Sequence, residues 1–153
     1  VERRVSVTDL RSQLALAACL QLAATCALAA DALVLVVRTD SPVQALDSLA
    51  VRKAFIGFTV SAGSAPLRPL VNATEPSLRA AFLQHVVGLS PQMYQRRTLT
   101  LVLQQGLAPP VVLTDQQALL RALRSSPYAV TFMWQSAADR LDGIRIVRTL
   151  WHE

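Results

Sequence analysis

The sequence predicts an α/β fold, a small mixed sheet flanked by helices, on three observations. Short apolar runs rich in β-branched residues alternate with segments of helical periodicity. Two of those runs, at 32–38 and 128–134, are apolar almost throughout, as strands covered on both faces are. The terminal run, 144–151, alternates apolar residues with arginine at period two, the pattern of a half-exposed strand. A chain of 153 residues accommodates one such domain with a real core, and a second full domain does not fit.

The elements follow in order after residue 30. "ALVLVVR" (32–38) is a strand, stopped by the polar "TDSP". Asp47-Ser48 caps a helix over "LAVRKAFIG" in which Leu49, Val51, Ala54 and Phe55 form one face and Gly57 ends the turn. "SAGSAP" reads as a loop. "LRPLV" (67–71) is a second strand, and Pro69, which cannot donate to a ladder, makes it an edge or an imperfect one. A helix over 76–87 carries Leu78, Phe82 and Val86, with His85 on its side, and Gly88 closes it. Ser90 then caps, and Pro91 opens, a helix to about Gln105 with Met93, Leu101 and Leu103 among its apolar residues. "LAPPVVL" is a loop, because two prolines cannot continue a helix. Thr114 or Asp115 caps "QQALLRALRSS", whose buried stripe is Leu119, Leu120 and Leu123. The strands at 128–134 and 144–151 complete the order β-α-β-α-α-α-β-β.

The first thirty residues stand apart. Residues 14–30, "LALAACLQLAATCALAA", carry no charge, follow Arg3, Arg4 and Arg11, and end in a small-x-small pattern. That is the layout of a secretory signal peptide over 1–30, with cleavage near Ala29 or Ala30 and a mature domain from 31 to 153. A retained anchor is the weaker reading, since seventeen alanine-rich residues make a poor span. "LAAC" at 16–19 resembles a lipoprotein box, but the apolar run continues past Cys19. Both cysteines, Cys19 and Cys26, fall in the signal, so the mature chain is expected to have no disulfide and no thiolate metal site. Export without cysteines points to the periplasm.

Charge excludes little. The net charge is +5, of which three arginines and two acids lie in the first thirty residues, leaving +4 on the rest. The remaining arginines are scattered and not interleaved with aromatic platforms, so nucleic acid is not an expected partner. Catalysis is not expected either. The two histidines, His85 and His152, have no partners at metal-ligand spacing, and no GxSxG, HExxH, GxGxxG or GxxxxGK occurs. Asp139 and Asp142 read as a solvated turn, and Asn72-Ala73-Thr74 as a chance match to a glycosylation acceptor. No catalytic residue, metal site or cofactor is assigned.

"VNATEPSLRAAF" (71–82) is the stretch with the best physical case for a ligand. It leads from a strand into a helix, the position where α/β sheets place ligands, as does "TDSP". Pro76 fixes the first helical φ, so free amides of Ser77 and Leu78 point out of an electropositive helix end. The Ser77 hydroxyl and the Arg79 guanidinium would add donors to a small oxyanion site, while Glu75 would accept from a protonated oxyanion or repel an ionised one. The plainer alternative is that Thr74 or Glu75 caps the helix and Arg79 pairs with Glu75 one turn back.

From about 33 to 149 the chain resembles the short, single-domain relatives of phosphate transporter substrate-binding proteins, of the periplasmic binding protein class. The landmarks are "VLVV" leading to "SPV" (41–43), "AFIG", "EPSLRAAF" where that family has E-G-S-x-x-R-x-x-F, "GLSPQMY", the Pro109-Pro110 pair and "SSPYAVTFM". The resemblance implies a single periplasmic-binding-protein-like lobe that binds phosphate or a similar oxyanion through Ser41, Glu75, Ser77 and Arg79 and works with a membrane permease or sensor. Three departures stand against strong binding. Pro76 replaces a glycine whose amide approaches the ligand, "QQGLAPP" lacks the threonine and arginine of the family's T-G-R-G-x-P-P loop, and Thr131 replaces a strand glycine. A mature chain of about 120 residues is also short for two lobes closing over a ligand. The expectation is therefore an exported solute-binding module with weak oxyanion binding, the alternative a degenerate lobe that serves as an envelope interaction or sensory module.

Overall fold

A computed structural model describes residues 31–152, so the predicted signal peptide lies outside the described residues. β1 (Ala32–Arg38) forms where expected and is buried along almost its whole length. It lies inside a five-stranded sheet of order β5-β4-β6-β1-β7. β4 (Arg68–Asn72) runs parallel to β5 (Val111–Leu113) and to β6 (Ala129–Trp134), whereas β1 runs antiparallel to both β6 and β7 (Ile144–His152). β1 is therefore the one reversed strand of a mixed sheet.

Period-two alternation divides β1 between two cores. Leu33, Leu35 and Val37 face one side, where α1 (Ser48–Ile56), α2 (Pro76–Ala81) with the π-helical turns that continue it (Phe82–Val87), and α3 (Pro91–Gln105) pack. Val34 and Val36 face the other, against Leu119 and Leu123 of α4 (Gln116–Ser125) and Ala138 of α5 (Gln135–Ala138). The first core is built on three phenylalanines. Phe82 stacks on Phe132 with ring centroids 3.7 Å apart, and Phe55 meets both rings edge-on. Each ring so buried contributes about 1.5–3 kcal/mol.

The caps form as expected. Asp47 accepts from the Ala50 amide, Ser90 from Met93 and Asp115 from Ala118, and α1 ends at Gly57 with φ +117°. The buried faces differ in detail. Leu49 is exposed and Ile56 takes its place in the core, while α3 turns Tyr94 and Leu101 inward and leaves Met93 and Leu103 in solvent. "SAGSAP" is a small hairpin, β2 (Ser61–Ala62) and β3 (Ala65–Pro66), with Gly63 in its turn. His85 is exposed on its helix and its ring stacks on Trp151 of β7 at 4.2 Å.

Two strand expectations are corrected. Residues 111–113 are not loop but the edge strand β5, because the prolines stop at Pro110 and the next three residues pair in register with Leu70–Asn72. β4 is not an edge strand but an imperfect one inside the sheet. Pro69 is tolerated inside the sheet because β4 and β6 pair through the main chain only at Arg68 and Pro69, and pairing with β5 begins one residue later. Beyond that point side chains bridge the β4–β6 seam. The Thr131 hydroxyl donates to the Leu70 carbonyl (2.8 Å) and the Asn72 amide to the Phe132 carbonyl (3.0 Å). Two of the buried polar residues of the fold are accounted for in this way.

Candidate functional site

The carboxyl ends of β4, β5 and β6 come together at one end of the sheet, and the loops leaving them carry the stretch 72–79. Asn72, 3% exposed, sets the shape of that loop: its Oδ1 accepts from both the amide and the hydroxyl of Thr74. The chain then turns through Glu75 into α2, with Pro76 at the first helical position as predicted. A small cavity of about 140 Å³ lies behind the turn, bordered by Asn72, Thr74, Glu75, Leu119, Trp134 and Leu141.

Two helix N-termini open near this end, and each already has a carboxylate. Asp115 caps α4. Glu75 occupies the cap position of α2 without bonding the helix amides, and instead accepts the hydroxyl proton of Ser77. Favourable charge at both helix starts is thus supplied by the protein itself, which lowers what an external anion would gain there.

The four residues assigned from the sequence do not form one site. Ser41 follows β1, and because β1 runs against β4 it emerges at the opposite end of the sheet from Asn72. Its hydroxyl is also committed, donating to Pro127 O at 2.6 Å and accepting from the Val43 amide at 3.2 Å, while Arg145 donates to the Ser41 and Val43 carbonyls. Glu75 and Ser77 are together but bonded to each other. Ser77 and Arg79 are two residues apart in a helix, a spacing that puts side chains on different sides. Arg79 does not pair with Glu75; among the described residues its only bond to that residue is its own amide on the Glu75 carbonyl.

Arg79 instead borders a larger cavity, about 330 Å³, between α3 and the strand β5. Tyr94 and Thr98, one helical turn apart on α3, line it with Pro109, Pro110 and Val112. The Tyr94 hydroxyl donates to the Phe55 carbonyl at 2.5 Å and lies near Thr98 and Arg79, and burial pushes its ionisation above the usual tyrosine range. Among the described residues, two buried side-chain polar atoms lack hydrogen-bond partners, Arg79 Nε and Thr98 Oγ1, and both residues border this cavity. A buried donor left unpaired costs about 1–3 kcal/mol, and because both atoms are closed to solvent a ligand in the cavity would meet the rest of the Arg79 guanidinium rather than these two atoms.

Sequence reasoning found Arg79 but not its surroundings. Tyr94 and Thr98 share a helix face, a relation readable from their spacing, but nothing local shows that this face meets Pro109-Pro110. Among the described residues no group of three or more His, Cys, Asp or Glu side chains is placed to hold a metal ion, and no helix is long and apolar enough to cross a membrane.

No protein-family model matches the sequence, and no curated protein does. Among solved structures the chain is similar to an ABC-type phosphate transport receptor from Vibrio cholerae, at TM-score 0.56 and 16% identity over 78% of this chain and 46% of that one. It is similar also to PstS from Borrelia burgdorferi, at TM-score 0.56 and 11% identity over 78% of this chain and 47% of that one. The likeness is one of fold, and the chain spans a little under half the length of these structures. The mixed α/β lobe expected from the sequence is the fold they share.

Proposed function

We propose that this chain is a solute-binding module for a small anion, phosphate or a similar oxyanion, held weakly with Arg79 as its charge partner, and that it acts in the periplasm after cleavage near Ala29 or Ala30. The observation that carries the reading is a guanidinium with no carboxylate partner among the described residues, its Nε buried beside a cavity. The shared fold with a phosphate transport receptor supports the ligand class. Binding, not catalysis, is the proposed activity. Of the other residues assigned from the sequence, Ser77 can join only by exchanging Glu75 for the anion, and Ser41 serves the opposite end of the fold. A membrane permease or sensor would be the protein partner.

Calorimetry of the purified protein with phosphate and sulfate tests this, with Arg79→Ala as the control. Affinity should fall by about 1.5–3 kcal/mol in the variant, the range for a hydrogen bond to a charged group. No heat and no melting shift at millimolar anion would sink the reading.

One observation favours a second reading, an envelope interaction module that binds no anion. Leu99 of α3 and Val112 of the edge strand are exposed at the Arg79 cavity, and the exposed Leu103 lies one helical turn beyond Leu99. If this reading holds, the protein is inert to anions and co-purifies with an envelope protein through Leu99, Leu103 and Val112.

A further inference from the structure

The Arg79 cavity is mostly apolar, and that says more about the ligand than its charge does. Beside Arg79, the polar groups at its walls are Thr98 and Gln95. Leu99, Val102, Pro109, Pro110 and Val112 make up most of the rest, and Tyr94, its hydroxyl proton bonded to the Phe55 carbonyl, has no donor left for an anion. Inorganic phosphate at such a place would gain one guanidinium while the hydrocarbon walls displace part of its hydration without replacing it. A carboxylate can be met by two parallel N–H groups of the one guanidinium, and an apolar body behind it would cover the walls. At about 330 Å³ the cavity is at the small end of ligand sites, and Leu99 and Val112 leave its rim open.

We propose that this cavity selects a small organic carboxylate with an aliphatic or aromatic body over inorganic phosphate. The inference rests on the reading above that Arg79 is the charge partner of the ligand. Arg79 holds the carboxylate, and the body lies between Val102 and the Pro109-Pro110 turn.

The test is a series of ligands on the full chain by calorimetry: inorganic phosphate, acetate, butanoate and hexanoate, then benzoate against neutral benzyl alcohol. Affinity should rise at least two-fold for each added methylene, below the roughly four-fold of complete burial because the rim is open. Hexanoate and benzoate should bind at least ten-fold more tightly than phosphate. Arg79→Gln should lower hexanoate affinity about ten-fold or more, and Val102→Trp, which fills the cavity, should abolish it. If the tryptophan variant does not fold, the chain-length series on the unaltered protein still decides. A flat series, benzyl alcohol binding as well as benzoate, or an Arg79→Gln variant that binds hexanoate normally would each overturn the inference. Phosphate binding tighter than hexanoate and lost in Arg79→Gln would overturn it while leaving the oxyanion reading intact. Failure of every anion to bind would remove both.

Discussion

Replacing Asn72 by alanine tests whether side chains really close the seam between β4 and β6. Three hydrogen bonds depend on this residue: its amide on the Phe132 carbonyl at 3.0 Å, and the Thr74 amide and hydroxyl on its Oδ1 at 3.1 and 2.7 Å. The Phe132 carbonyl belongs to a fully buried residue, so leaving it unpaired costs about 1–3 kcal/mol. Thr74 is half-buried and water can reach it, so its two bonds add roughly 0.5 kcal/mol each. Asn72→Ala should therefore lose about 2–4 kcal/mol, a large part of the stability of a domain of this size. Urea denaturation followed by circular dichroism measures it, with the slope unchanged and the midpoint lowered. Asn72→Asp is the companion. It keeps the shape but sets a carboxylate against the carbonyl, and burial should raise its pKa. Its stability should be greatest at low pH, where the protonated acid donates to Phe132, and should fall as pH rises through that raised pKa. A loss below about 0.5 kcal/mol for alanine, the size of an ordinary surface substitution, would refute the reasoning.

Thr131→Val removes the other side-chain bridge, to the Leu70 carbonyl, and should cost about 1–2 kcal/mol in the same urea assay. Ser41→Ala should cost a similar amount, because Pro127 O and the Val43 amide both lose a partner, yet it should leave anion affinity unchanged; a binding loss would return Ser41 to the site. The buried Tyr94 keeps its proton more tightly folded than unfolded, so its contribution is complete below about pH 10 and is lost as pH rises above that. Thermal melts between pH 8 and 11 should show that decline, and Tyr94→Phe should flatten it while losing about 1 kcal/mol at neutral pH with the bond to Phe55.

The sequence was most informative where short-range chemistry decides the structure. Asp47, Ser90 and Asp115 sit where capping side chains must, Gly57 and Gly88 where left-handed turns exclude other residues, and both act within four residues of themselves. Pro76 at the start of α2 belongs with them. The candidate site was half legible on the same terms. Arg79 stood out as a cation near a helix start, but its i,i+2 relation to Ser77 already forbade a shared face, and the Glu75 carboxylate was closer to Ser77 than any ligand would be. Asn72 was dismissed as part of a chance tripeptide, though an asparagine that ends a strand and bonds two residues on is a recurrent turn.

What the residues alone determined is four strands and four helices with their caps, though not the strand at 111–113, the hairpin at 61–66 or the short helix at 135–138. Once 32–38 is a strand, alternation sends Leu33, Leu35 and Val37 to one core and Val34 and Val36 to the other. Tertiary structure decided the rest: that β1 runs against its neighbours and carries Ser41 away from Asn72, that Pro69 lies inside the sheet, and that α3 meets the Pro109-Pro110 turn around Arg79. The reason is one of range. Capping, periodicity and turn chemistry act over a few residues and are written in neighbouring letters. Strand order and the partners of a buried charge depend on segments tens of residues apart, and are settled only when both faces of the sheet are covered at once.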